Sequence, residues 1–386
     1  MQIYNLNSGS KTVLSVLSLL ALMAFLAVEY GKEDVKLKYY DQKIEAAKLA
    51  DEAANYLKEI RMHKGVFVDV VNDPNETALI GQDITPITTD RGYIEAKLTA
   101  TNPNFAAVVV DMLKEIELKK NDVVAIAFTG SFPGLNIAVH SALQTLKLRP
   151  IIITSVGASN WGANDPYYTW LDMEKSLYNG GVFKNKSVAA SIGGGLDRGR
   201  GLSPEGRQLI MDAINRNKVE FINEDHLESS IQKRIDIYNK YRKKEKIKAF
   251  INVGGGISSI GSIENVQFIP SGLSKTLPMK NYPVRGLLVY MAEKNIPVIH
   301  LLNVNQLAQQ YGLPLNPTPL PRPGEGEIFI QKRYSVLLTA GVSLFLVVAI
   351  AFVFFMERKR HQLGTEQVKT SLKTTEIDHQ NSDLLL

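Results

Sequence analysis

Residues 334–356, YSVLLTAGVSLFLVVAIAFVFFM, carry no charged side chain. At ~1.5 Å per helical residue, such a run crosses a ~30 Å hydrocarbon core with room for tilt. A second apolar run, 12–28 (TVLSVLSLLALMAFLAV), nearly crosses it. Its only basic flank is Lys11 and the amino terminus, and no Ala-x-Ala site follows, so an uncleaved anchor is expected rather than a signal peptide. Basic residues flanking spans set orientation. ERKRH (357–361) directly follows the second span and argues for a cytoplasmic tail, although Lys332 and Arg333 pull the other way. Two spans put both termini on one side, so residues 29–333 are expected to be extracytoplasmic.

Between the spans the pattern changes. Residues 33–62 lack proline and glycine, and Ala46, Leu49, Ala53, Tyr56 and Ile60 recur at alternating three and four, one face of a helix. Residues 65–100 show turn signals and little periodicity. From about 102, continuous apolar runs alternate with helical patterns. The strands expected are 122–128, 150–154, 187–192, 219–222, 247–253 and 297–302. Helices open at Asn102-Pro103, near 134, at Asp165-Pro166 and at Ser203-Pro204. Such alternation is the pattern of a parallel sheet covered on both faces. The expected fold class is α/β: a doubly wound, mainly parallel sheet, Rossmann-like and three-layered, flanked by N- and C-terminal transmembrane helices. The expected segments are 1–11, the span 12–28, an amphipathic helix 29–64, the α/β domain 65–312, a linker 313–333, the span 334–356 and a polar, unstructured tail 357–386. The linker contains LPLNPTPLPRPGEGE, whose proline density predicts an extended stalk.

Composition narrows the function. With no cysteine, disulfides, cysteine-zinc sites and thiol catalysis are excluded. The 44 basic and 39 acidic residues nearly balance, without the excess or basic stripe expected of a nucleic-acid protein. No G-x-G-x-x-G or P-loop spacing occurs, which weighs against NAD and ATP, and no cofactor is expected. His63, His226 and His300 lack metal-ligand spacing, so no metal is expected.

Ligands of open α/β sheets bind beyond the carboxyl ends of the strands. Glycine collects there: FTGSFPGLN (128–136), TSVGASNWGAND (154–165), SIGGGLDRGRGLSPEG (191–206) and VGGGISSIGS (253–262). Glycine lets backbone amides approach a ligand, and a following helix N-terminus favours negative charge. The predicted ligand-binding residues are Ser131, Asn160, Gly194, Asp197, Arg198, Arg200, Gly255 and Ser258. Arg198 and Arg200, flanked by Gly199 and Gly201, can clamp a carboxylate or phosphate bidentately; the plainer alternative is a surface pair with Asp197. Ser131 is the alternative catalytic nucleophile, although its surroundings are not a G-x-S-x-G elbow and no triad is evident. His140 reads as a packed core residue.

GSFPGLN, SVGASNWGANDPYYTWLDME, AASIGGGLDRGRGLSPEGR and HLLNVNQLAQQYGLP resemble the poly-γ-glutamate system protein family, over nearly the whole chain. The resemblance implies a bacterial envelope protein in the cytoplasmic membrane, working beside the poly-γ-glutamate ligase and its small membrane subunit. It implies no reaction for this chain. The reading that follows is an accessory component binding or guiding the anionic polymer; the alternative is an extracytoplasmic hydrolase or transferase acting on γ-glutamyl chains.

Overall fold

The computed structural model describes residues 8–65 and 68–382. Residues 1–7 of the expected N-terminal segment, 66–67, and the tail end 383–386 lie outside them. In chain order the elements are α1 (Ser8–Tyr30), β1 (Lys32–Lys36), α2 (Tyr40–His63), β2 (Thr88–Asp90), α3 (Ile94–Ala100) and α4 (Phe105–Glu115). Then come β3 (Val123–Thr129), α5 (Pro133–Thr145), β4 (Arg149–Ser155), β5 (Ala158–Ser159), α6 (Trp170–Asn179), β6 (Ala189–Ser191), α7 (Pro204–Asn217) and β7 (Glu220–Ile222). The chain continues through α8 (Leu227–Arg242), β8 (Ile247–Val253), α9 (Ile257–Ile260), β9 (Gly272–Ser274) and α10 (Leu287–Glu293). It ends with β10 (Val298–Leu301), α11 (Val304–Gln310), β11 (Ile330–Tyr334) and α12 (Val336–Ser382). Two compact units result: a terminal one, from the chain up to Val35 and from Gln331 onward, and a central one, Lys36–Ile330.

The central unit is mixed α/β around a seven-stranded sheet of order β7-β6-β4-β3-β8-β10-β9. All pairings are parallel except β9 on β10. The chain steps outward from β3 through β4 and β6 to β7, then returns to the other side of β3 with β8. Such a reversal leaves a crevice at the carboxyl ends of the two central strands.

β3 shows why the sheet is covered on both faces. Every residue of VVAIAFT is buried. Val124, Ile126 and Phe128 join a core with Ala46, Ala50 and Ala53 of α2 and with α4 and α5. Val123, Ala125 and Ala127 join a separate core with Ile231, Ile235 and Tyr238 of α8 and Leu288 of α10. A strand buried on both faces needs apolar residues at every position, and each large one contributes about 1.5–3 kcal/mol.

The structure departs from the sequence expectations in several places. Residues 32–36 form β1, paired with β11, so the helix expected from 29 begins at Tyr40. α4 starts at Phe105, because Asn102 turns inward and its Oδ1 accepts from the Asn104 amide at 3.0 Å. Asp165 caps a turn, accepting from the Tyr167 amide at 2.9 Å, while α6 is opened by a capping box of Thr169 and Asp172. The proline-rich stretch is not a free stalk. Leu313, Ile328 and Phe329 are buried, and Asn104 Nδ2 donates to the carbonyls of Arg322 and Glu325 at 3.0 Å each. The tail expected to be unstructured continues α12 to Ser382; the sequence beyond 356 has no proline and many helix formers. The antiparallel edge strand β9, the short pair β2–β5 and helix α3 were not expected.

In the terminal unit, the segments Lys11–Tyr30 and Val336–Met356 are long and apolar enough to cross a membrane. Their large apolar side chains, among them Phe25, Phe345, Phe352 and Phe354, are exposed rather than packed in a core.

Candidate functional site

β3, β4, β6 and β8 run parallel, so the loops that leave them share one edge of the sheet. Those loops interlock. Gly254 adopts φ +87°, and a Cβ there would collide with Thr129 Oγ1, the hydroxyl that donates to the Val253 carbonyl at 3.1 Å. The Gly157 amide donates to the Ile192 carbonyl at 2.8 Å. A Cβ on Gly193, at φ +80°, would lie 3.0 Å from Ser155 Cβ. Only glycine permits so close an approach with that backbone.

Beneath this edge lies a buried charge cluster. Leu196 and Asp197 both hold positive φ, +56° and +60°, a conformation that costs free energy for residues with a Cβ. The turn drives the Asp197 carboxylate inward, where it accepts from Ser191 Oγ at 2.7 Å, Ser230 Oγ at 2.6 Å and Ser155 Oγ at 3.2 Å. Arg234 of α8, fully buried, reaches the same carboxylate at 2.8 Å. Asp197 therefore anchors the loop and is not a surface partner of Arg198. Arg198 instead pairs with Asp225 at 3.0 Å, just beyond β7, and both are exposed. Arg200 is exposed too.

The other expected residues divide. Gly255 is exposed, and a Cβ there would meet only Leu302 Cδ1, in ordinary contact at 3.8 Å. Gly194, at φ +66°, lies against Thr89 of β2. Ser258 is buried, and its Oγ has no hydrogen-bond partner among the described residues. Asn160 ties the loop after β4 to the segment that covers it: Nδ2 donates to the Asp83 carboxylate at 2.7 Å, and Oδ1 accepts from the Gly92 amide at 3.0 Å. Ser131 Oγ accepts from the Ser159 amide at 3.1 Å. Ser131, Asn160, Gly194 and Gly255 thus lie in loops of one sheet edge, while Arg198 turns away toward β7.

The residue that sequence reasoning missed is Lys97. The parallel pair β2–β5 (Thr88 opposite Ala158, Asp90 opposite Ser159) folds the segment before α3 over the loop after β4. That packing carries Lys97 into the protein, where it is only 3 % exposed. Its Nζ donates to the Ser131 carbonyl and lies 2.7 Å from Ser159 Oγ and 3.8 Å from the Phe132 ring centre. No carboxylate pairs with it among the described residues. Burial alone pushes Lys97 down to about 7, because an ammonium ion loses its hydration there. Lys97, Phe132, Pro133, Gly134 and Trp161 line a narrow cleft with room for about one water molecule. In the sequence, Lys97 differs from any surface lysine only by sitting one turn after Ile94 in a short apolar helix.

His140 is a core residue as expected, its Nε2 3.0 Å from Glu174 Oε1 and its ring stacked on Phe183. His300 is buried, Nδ1 2.9 Å from Asn252 Nδ2, and burial lowers it to about 4. Among the described residues, no group of three His, Cys, Asp or Glu side chains could hold a metal ion. Comparison with protein-family models, with curated proteins and with solved structures finds no match to this chain.

Proposed function

We propose that this chain is a membrane-anchored, two-pass component of a bacterial poly-γ-glutamate synthesis and export system, holding or guiding the anionic polymer at the carboxyl edge of its sheet. The observation that carries the reading is the interlocked set of glycine loops at that edge, with two exposed arginines in the loop after β6, Arg200 and, on the side of β7, Arg198. Arg198 already holds a carboxylate, that of Asp225. An exposed pair of this kind is worth only about 0–1 kcal/mol, so a polymer rich in carboxylates can displace Asp225. The strand order, with its reversal beside β3, fits the doubly wound, Rossmann-like class, in which ligands sit at such an edge.

Two exposed apolar helices support the membrane placement, since a soluble protein rarely exposes patches of that size. The pairing of β1 with β11 brings together the segments next to the two helices, and the basic residues 357–361 are the reason for placing the tail inside and the α/β unit outside the cytoplasm. The ligase and its small membrane subunit are the partners this reading names.

The test is polymer binding by the detergent-solubilised full-length protein. Wild type binds poly-γ-glutamate, less tightly as salt screens the exposed charges. Arg198→Ala/Arg200→Ala, still folded, binds at least ~10-fold more weakly, given about 1.5–3 kcal/mol for a charge-assisted hydrogen bond. Unchanged affinity in that variant overturns the reading. A second reading, a hydrolase or transferase acting on γ-glutamyl chains, draws on a different observation, the contact between Lys97 and Ser159.

A further inference from the structure

We infer that the amino edge of the seven-stranded sheet, opposite the glycine loops, is a face that binds the anionic phosphate headgroups of the membrane in which the chain is anchored. This role rests on the membrane anchoring proposed above and not on the polymer. Because β3, β4, β6, β7, β8 and β10 run parallel, every connection entering them lies at one edge and every connection leaving them at the other. The entering connections, 116–122, 146–148, 180–188, 218–219, 243–246 and 294–297, contain ten lysines against three carboxylates. The leaving connections, 130–132, 156–169, 192–203, 223–226, 254–256 and 302–303, contain no lysine, and their two arginines are outnumbered by four carboxylates.

The charge is densest at the middle of the edge, before β4, β3 and β8. There Lys119, Lys120, Lys147, Lys243, Lys244 and Lys246 are exposed, and none of the six side chains joins an ion pair or donates a hydrogen bond among the described residues. The three connections are tied together. The Asn121 amide donates to the Lys147 carbonyl at 2.9 Å, and the Arg149 guanidinium reaches both the Arg242 carbonyl and the Glu245 carboxylate. That contact uses the one carboxylate of 243–246. A helix C-terminus favours a nearby cation, which accounts for one lysine per helix end. Six on three adjoining connections repel one another, at a cost that falls when an anionic surface meets them. Neighbouring strands stand ~4.8 Å apart, so from β7 to β10 the lysines spread along ~24 Å, which suits a surface of many phosphates better than one small ligand.

Both chain ends of the central unit emerge at this same edge. α4 leads directly into the connection before β3, and Lys114 in its last turn lies 5.3 Å from the centre of the Tyr39 ring. Lys43 reaches Asp111 of α4 at 2.6 Å and the Ile328 carbonyl at 3.2 Å. The Leu37 amide donates to the Phe329 carbonyl at 2.9 Å, so the two ends leave side by side. Along the chain, α1 ends at Tyr30 and α12 begins at Val336, each within eight residues of Lys38 or Ile330. Eight extended residues reach at most ~30 Å, so covalent connection alone keeps this edge near the bilayer that holds the two helices. A free polyanion has no such tether, which favours lipid as the partner. Each lysine near an anionic leaflet adds its own attraction, which fades within a Debye length of ~10 Å.

The chain has no cysteine, so a single donor fluorophore can be placed by Lys120→Cys at the amino edge or by Tyr167→Cys, also exposed, at the carboxyl edge. Each labelled full-length protein is reconstituted into vesicles of phosphatidylcholine alone, or of equal parts phosphatidylcholine and phosphatidylglycerol, with an energy acceptor on the headgroups. Phosphatidylglycerol should raise energy transfer from position 120 and not from position 167. The rise should be lost in ~1 M salt, which screens charges beyond ~3 Å. It should be lost too in Lys119→Gln/Lys243→Gln/Lys244→Gln/Lys246→Gln, checked as folded by thermal melting. Equal transfer in the two lipids, a rise that survives the salt, or a rise kept by the quadruple variant overturns the inference. So does a response of position 120 to added poly-γ-glutamate without any response to phosphatidylglycerol, which would make the edge a polymer track. Polymer capture is read separately, in detergent without lipid. Polymer binding with no lipid response therefore sinks this inference alone, and a lipid response with no polymer binding sinks only the capture reading.

Discussion

Two buried cations stand at the same edge of one sheet and are treated in opposite ways. Arg234 is fully enclosed, but its guanidinium meets the Asp197 carboxylate and the hydroxyls of Ser155 and Ser191. Lys97 is almost as deeply enclosed, yet it meets only a carbonyl, a hydroxyl and an aromatic face. The first arrangement compensates the charge, while the second suppresses it. A satisfied pair pins a loop, whereas an amine without a carboxylate partner costs stability whenever it is charged.

The comparison breaks most visibly at Arg234. Removing one partner of a buried ion pair leaves the other uncompensated, at a cost of about 3–5 kcal/mol. Arg234→Met should therefore lower the Tm by ~6 °C or more. Asp197→Leu/Arg234→Met should recover much of that loss, because no orphan charge remains. A double variant as unstable as the single one would show that the cluster acts through packing alone.

Lys97→Met should move stability the other way. The folded value of about 7 lies below the ordinary 10.5, so between these limits the unfolded chain binds more protons than the folded one. Wild-type stability therefore rises as pH increases from 7 to 10.5, and the full penalty applies below 7. After allowing for the lost hydrogen bonds, Lys97→Met should gain roughly 1–3 kcal/mol at pH 6. The gain should vanish by pH 10.5, as thermal melts across that range would read. A variant less stable than wild type at pH 6 would make Lys97 a structural strut like Arg234.

At Arg198 the expected effect is smallest. Its partner Asp225 is exposed, so Arg198→Ala should change stability by less than ~1 kcal/mol, read by the same melts. A larger loss would mean that this arginine belongs to the scaffold and not to a surface free to take a ligand.

How much of this was legible beforehand follows from where each signal resides. β3, β4, β8 and β10 were readable to within about a residue, because strands buried on both faces must be apolar throughout. The glycine loops were readable because a turn out of a parallel strand, closely approached by its neighbours, demands them. β9 and the β2–β5 pair were not, being three residues or fewer and held by pairing rather than by pattern. Strand order is a tertiary choice with no local signature. Asp197 read as a surface charge because its partner comes from α8, far along the chain. Lys97 read as nothing at all, since only the folding of β2 onto β5 determines that its helix faces inward.

The most direct test of the distinction is the titration of Lys97 itself, followed by carbon NMR of lysines labelled at Cε in the full-length, detergent-solubilised protein. One resonance should titrate near 7 and disappear in Lys97→Arg, while the exposed lysines titrate in their ordinary range. If every lysine resonance, that of Lys97 included, titrates near 10.5, the amine is charged at neutral pH. The sheet edge then holds two buried charges, and the contrast between Arg234 and Lys97 falls.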